Sequence, residues 1–218
     1  MEIILFEKLL ERIKRTTRCR YHASRRLKIH HRFSQWTIAI LSSGLIFIPL
    51  IQVFGATFDI PLKLCNVFQT ILAVLILVFS LLLSQENFFS RSENMHKNGV
   101  ELGRLVRKIE GIIENNKEKT ETIDLELYNK LKNEYYDILE KYENHETIDF
   151  MNAKLNIKPD EKIKLVKYWC IKIEVFFRCF LIFALYLLPC LLVLMLFILY
   201  IYNVPELDLF LKYIKVFE

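Results

Sequence analysis

The chain has 218 residues, of which 53% are hydrophobic and 25% charged, with a formal net charge of +5. Five glycines offer little material for a backbone phosphate cradle, and five cysteines without a CxxC pair make neither a disulfide framework nor a zinc site. Apolar and charged residues in these amounts must be segregated along the chain, and they are.

The first 35 residues are cationic. Lys8, Arg12, Lys14, Arg15, Arg18, Arg20, Arg25, Arg26, Lys28 and Arg32 face only Glu2, Glu7 and Glu11, a local charge of +7 against +5 for the whole chain. The rest is therefore slightly acidic, and the pI of about 8.9 reflects one segment. Such a leader suits a nucleic-acid backbone or the anionic cytoplasmic face of a membrane. The uncharged run that begins at Trp36 favours the membrane, with the leader inside. No aromatic-interleaved recognition motif accompanies the arginines, so no direct nucleic-acid binding is expected. The charged leader is too long for a cleavable signal peptide, and no small-residue cleavage site follows an early apolar core. Within it Ile3, Phe6, Leu10, Ile13 and Thr17 recur at three and four spacings, an amphipathic helix that either lies on the membrane surface or packs on cytoplasmic helices.

Residues 36–58 carry no charge and reach about 34 Å as a helix, enough to cross a bilayer. Residues 67–85 are also uncharged, and the loop around Asp59, Pro61 and Lys63 is too short for a domain, so the two runs form a transmembrane hairpin. Neither of these two spans contains an Asp, Glu, Lys or His to act as proton relay, counter-ion or voltage sensor, which argues against coupled transport. Its polar residues Ser42, Ser43, Gln52, Gln69, Ser80 and Ser84 either line a path shared by several copies or bond across helices. Ala39, Ser43 and Gly44, with Ser80 and Ser84, offer small-residue faces for close packing.

The chain then returns to the cytoplasm. Leu102, Leu105, Val106, Ile109, Ile112 and Ile113 make one apolar stripe, which predicts that the second span continues as a helix to about Ile113. A polar turn is expected over 115–121. Tyr128, Leu131, Tyr135, Ile138 and Tyr142 repeat at a helix-packing spacing, so the two stripes are expected to face each other in an antiparallel hairpin. This favours packing within the chain over a coiled-coil oligomer. Gly99 and Gly103 form a GxxxG among charged residues, where they would admit another helix rather than mediate a membrane dimer. Pro159, Asp160 and Glu161 make a good helix start leading into a third apolar run, 175–202. Arg178 in that run stands one turn after Glu174, an ion-pair spacing. Pro189 marks either a kink in one crossing or the apex of two half-spans; halves of about a dozen residues without Gly or Asn favour one crossing.

No useful strand alternation occurs. The expected fold is an all-α membrane protein: a leader (1–35), a transmembrane hairpin (36–85), a cytoplasmic helical region (86–172), a third transmembrane helix (173–202) and a short tail (203–218). His22, His30, His31, His96 and His145 form no metal-ligand spacing, and no nucleophile elbow or HExxH motif occurs, so neither enzyme nor cofactor is expected.

The segments Arg20 to Arg26, Ser80 to Phe89, Ser92 to His96, Glu101 to Leu105, Tyr135 to Leu139, Tyr142 to His145 and Ile148 to Phe150 together resemble the SLATT domain, a bacterial two-span effector module, and its fifth subfamily in particular. The resemblance covers roughly residues 15 to 200; the third run departs from a minimal two-span pattern. It implies an oligomeric pore-forming effector of bacterial anti-phage (abortive infection) systems, set in the inner membrane. The trigger would be a nucleotide second messenger or a neighbouring reverse transcriptase. Arg26, Asn87, Glu101, Asn144, His145 and Asp149 are the candidate coupling or sensor residues within those segments. The competing expectation is a non-conducting anchor that recruits a soluble defence or signalling partner. Charged substitutions at Ser43 or Ser80 separate the two, because only a pore would change its leak.

Overall fold

The computed structural model describes residues 2–53, 62–119, 125–155 and 165–202. They form six helices: α1 (Glu2–Val53), α2 (Leu62–Glu86), α3 (Phe88–Lys119), α4 (Leu125–Glu140), α5 (Thr147–Leu155) and α6 (Leu165–Tyr202). Among the described residues only Asn87 and the turn 141–146 are not helical, and there is no strand. The expected loop around Asp59 and Pro61, the helix start at Pro159 and the tail from Asn203 lie outside the described residues.

The chain divides into two compact units, one of Met1–His30 with Phe88–Arg178, the other of His31–Asn87 with Cys179–Glu218. In the first, the predicted stripes do meet. Leu102, Leu105, Ile109 and Ile113 of α3 pack with Leu131, Tyr135 and Ile138 of α4 in one buried cluster. The two helices run antiparallel, since Asn98 bonds Ile138 while Lys108, farther along α3, pairs with Glu134. Phe6, Leu9 and Ile13 of α1 complete the same cluster. The amphipathic leader is thus the third helix of a bundle, because α3 and α4 alone leave their stripes half covered. Gly99 of the GxxxG admits α1, as expected: a Cβ there would stand 3.0 Å from the Tyr21 ring.

Three sequence expectations change. Helix α3 continues to Lys119 rather than turning at Asn115; the polar residues there suit a solvent-facing helix end, and Asn116 Nδ2 donates to the Ile112 carbonyl at 2.8 Å. The second span does not continue unbroken to Ile113, since Asn87 separates α2 from α3 with φ 44°. Asparagine is one of few residues that visit this left-handed region readily. Helix α5 had no counterpart in the sequence reading.

In the second unit, α1 and α6 pack side by side and in parallel. Phe33 meets Phe183 edge to face at 4.8 Å, Thr37 Oγ1 donates to the Tyr186 carbonyl at 3.4 Å, and a Cβ on Gly44 would lie 2.8 Å from Val193 Cγ1. The small residue Gly44 therefore serves the α1–α6 contact. Helix α6 runs unbroken through Pro189, a single helix and not two half-spans. Three helices are long and apolar enough to cross a membrane, and only 6% of the most apolar window of α2 is buried within the chain. In a water-soluble protein such a surface would be covered; here it is what a membrane protein presents to lipid or to other copies.

Candidate functional site: a buried polar seam

The first unit encloses a line of polar side chains where α1, α3 and the α4–α5 turn converge. It begins with Arg20, only 1% exposed. Its Nη1 donates to the Glu143 carbonyl and to Met95 Sδ at 3.5 Å, and its Nη2 to Asn144 Oδ1 at 3.4 Å. Its Nε has no partner. A buried guanidinium is costly unless its charge and donors are met, and here mainly neutral acceptors of the turn meet them.

Six residues on, Arg26 presents its planar fork to Asp149 on α5: Nε to Oδ1 at 2.9 Å and Nη2 to Oδ2 at 3.0 Å. A second carboxylate, Glu146, lies 3.0 Å from Nη2. Asp149 is fully buried, and its Oδ2 also accepts the backbone N–H of Glu146 at 3.0 Å. That is one half of a capping box, the third helical residue reaching back to the N-cap. One carboxylate thus starts α5 and ties it to α1.

The walls of the seam are satisfied in part, Asn98 Oδ1 being buried without a partner. Asn98, fully buried, donates to the carbonyl of Ile138, one of the orphan acceptors at the end of α4. Ser92 Oγ donates to the Ser24 carbonyl at 2.9 Å. Arg91 holds Glu143 at 3.0 Å, and the Tyr142 hydroxyl donates to Glu101 at 2.9 Å. His145 has a buried Nδ1 without a partner, and burial first, then the Arg20 cation, depress its pKa below 6.5. It is a neutral imidazole at pH 7, pressed against a charged network.

Of the sequence candidates, Arg26, Asp149, Asn144, His145 and Glu101 do come together on this seam and its edge. Asn87 does not; it is exposed at the α2–α3 break. Arg20, Glu143, Glu146, Arg91 and Asn98 complete the network and were missed. Nothing in the composition separates Arg20 from the solvated cations around it; only the helical phase, which puts it on the side of Ile13 and Leu27, could have done so.

The residues named as path-lining candidates are not one cluster. Ser43 is exposed and its hydroxyl is satisfied by the Ala39 carbonyl at 2.8 Å, whereas Ser42 is half-buried. The side chain of Gln52 lies outside the described ones. On α2, Ser80 and Ser84 are exposed and Gln69 is half-buried. No group of three or more His, Cys, Asp or Glu able to hold a metal occurs among the described residues.

No curated protein and no solved structure matches the chain. A family model, described as SMODS and SLOG-associating 2TM effector domain family 5, matches residues 5–196. The match takes in the polar seam and reaches well into α6, so all three apolar helices fall within it although the description counts two. On that match the chain is a membrane protein that belongs to the SMODS and SLOG-associating 2TM effector domain family 5.

Proposed function

We propose that this chain is the non-enzymatic membrane effector of a bacterial anti-phage system, which assembles from several copies and opens a pore in the inner membrane when triggered. The observation that carries the reading is a polar stripe on α2. Asn66, Gln69, Ser80 and Ser84 fall on one helical face together with Ala73 and the exposed Leu77; Asn66, Ser80 and Ser84 are exposed and Gln69 is half-buried, while Val67, Val74 and Val78 turn elsewhere. Lipid gives such a stripe nothing to bond to. Water in a shared path does, and since α1 and α6 already pack on each other, α2 is the helix left to supply its wall.

The cationic leader sets the N-terminal half of α1 in the cytoplasm, and the parallel run of α6 with α1 fits an in–out–in–out course of the chain through the three helices. The trigger acts on the cytoplasmic unit, through a neighbouring reverse transcriptase or a nucleotide messenger. To open the assembly it must bind the open form more tightly than the closed one, since only differential affinity shifts such an equilibrium.

Purified protein in liposomes, carrying Asp149→Asn to release the tie between α5 and α1 in the cytoplasmic unit, tests this. Expected is ion flux from a multimer, with Ser80→Glu and Ser84→Glu raising the preference for cations. A monomer without flux, or flux indifferent to both substitutions, refutes the proposal; retained partner capture without flux identifies an anchor instead.

A further inference from the structure

We propose that the outward face of the N-terminal half of α1 is a docking surface for the phosphate backbone of a nucleic acid, contacted without regard to base sequence. Between Arg12 and His30 the helix carries no carboxylate. Arg12, Arg15, Arg18, Arg25 and Lys28 are all exposed, and none of the five forms an ion pair with a described residue. The remaining cations of the stretch are engaged inside the unit: Lys14 with Glu110, Arg20 in the polar seam, Arg26 with Asp149. Arg15, Arg18 and Arg25 lie on the side opposite the buried Ile13, Ala23 and Leu27, so the bundle does not cover them.

From Arg12 to Lys28 the helix advances about 24 Å, a length over which duplex DNA presents on the order of 14 phosphate charges. Four of the five cations are arginines, whose forked donors match phosphate oxygens in pairs. Phosphate contact of this kind needs no stacking aromatics and no base-reading motif.

Anionic lipid is the competing partner, and helix length argues against it for most of this face. Helix α1 is unbroken from Glu2 to Val53, and its uncharged stretch begins at Trp36. Arg18, Arg15 and Arg12 precede Trp36 by about 27, 32 and 36 Å of helix axis. That is about three to four and a half times the roughly 8 Å over which surface charge is felt at physiological salt. Lys28 and Arg25 are nearer, and lipid accounts for part of their charge. Such docking depends on α1 entering the bilayer at Trp36 and not on whether the assembly conducts.

The test is fluorescence anisotropy of a labelled duplex of about 20 base pairs, and of a single-stranded RNA of the same length, with the full chain in zwitterionic nanodiscs. Expected is binding that weakens with salt at a log–log slope of about −4, near the limit for five phosphate contacts. The triple variant Arg12→Gln, Arg15→Gln, Arg18→Gln should bind at least about tenfold more weakly and shallow the slope by about 2 to 3. The matching Arg→Lys triple should keep most of both. All three sites of substitution are exposed in the parent, so unchanged circular dichroism is expected and separates lost contact from lost fold. Absence of salt-dependent binding to both probes, or equal slopes for parent and Gln variant, overturns the proposal. So does a Gln variant that keeps its nucleic-acid affinity but loses binding to vesicles containing anionic lipid, which would assign the face to the membrane.

Discussion

Replacing Asp149 with Asn removes a charge and almost no volume, so its cost is readable from the three hydrogen bonds the carboxylate accepts. Two come from Arg26 at 2.9 and 3.0 Å and one from the Glu146 N–H at 3.0 Å. An amide keeps one acceptor and turns an NH2 toward a guanidinium, so at least one Arg26 bond is replaced by donor facing donor. Breaking a buried ion pair from one side costs roughly 3–5 kcal/mol. Arg26 retains Glu146 at 3.0 Å and is 15% exposed, which lowers the figure to about 2–4 kcal/mol, and the weakened cap adds up to about 1 kcal/mol. For a short helix with three buried residues, Ile148, Asp149 and Ala153, this loss is felt locally before it is felt globally. Amide hydrogen exchange of the full chain in detergent should show the α5 amides exchanging about 100-fold faster, since about 1.4 kcal/mol is tenfold, while those of α3 and α4 keep their protection. Arg26→Lys should give a smaller increase, because the charge survives and the fork does not. The pair Arg26→Leu with Asp149→Leu should recover much of the protection, an apolar pair being cheaper than half a salt bridge. Unchanged exchange in α5 on Asp149→Asn would refute the claim that this carboxylate holds α5 to α1.

The depressed pKa of His145 makes stability pH-dependent in a defined direction. The unfolded imidazole, near 6.5, takes up a proton before the folded one, so stability is full above that pH and falls as pH drops through it toward the folded value; Tm measured from pH 7 to 5 should decline less steeply in His145→Gln. A side chain on Gly44 would press on Val193, whose branched Cβ leaves it one favoured rotamer in a helix. Gly44→Ala should therefore lower the Tm in detergent and Gly44→Ala with Val193→Ala should restore it, whereas additive losses would show that the contact is slack. At Asn87, φ 44° is open to Gly and costs a β-branched residue about 1–2 kcal/mol; Asn87→Gly should keep the parental Tm and Asn87→Val should lower it, and equal values for the two would argue against strain there.

The parts of the fold legible in the sequence are those where burial has a period. The α3 and α4 stripes and the apolar runs of α1, α2 and α6 repeat an apolar signal over many turns, and the structure puts each in a helix. The Glu174–Arg178 pair was legible for the same reason, one turn being a fixed spacing, and it forms at 2.8 Å. What escaped is not periodic. A single left-handed residue interrupts α2 and α3 without changing the apolar pattern on either side. Helix α5 is capped by Glu146 and Asp149, and Glu at the N-cap is not among the usual signals of a helix start.

The polar seam was half legible for a related reason. A resemblance marks segments, and so it marked Arg26, Asn144, His145 and Asp149, but it says nothing about which cation in a basic leader turns inward. Arg20 is buried and Arg25 exposed although they lie about one and a half turns apart in the same charged run. What separates them is the position of α3 and of the α4–α5 turn, and that is set by contacts from residues more than 100 positions away, such as Glu143, Asn144 and Asp149. Charge counts along a helix give the field it projects. Which charges project it, and which are consumed in holding the fold, depends on the helices packed against it.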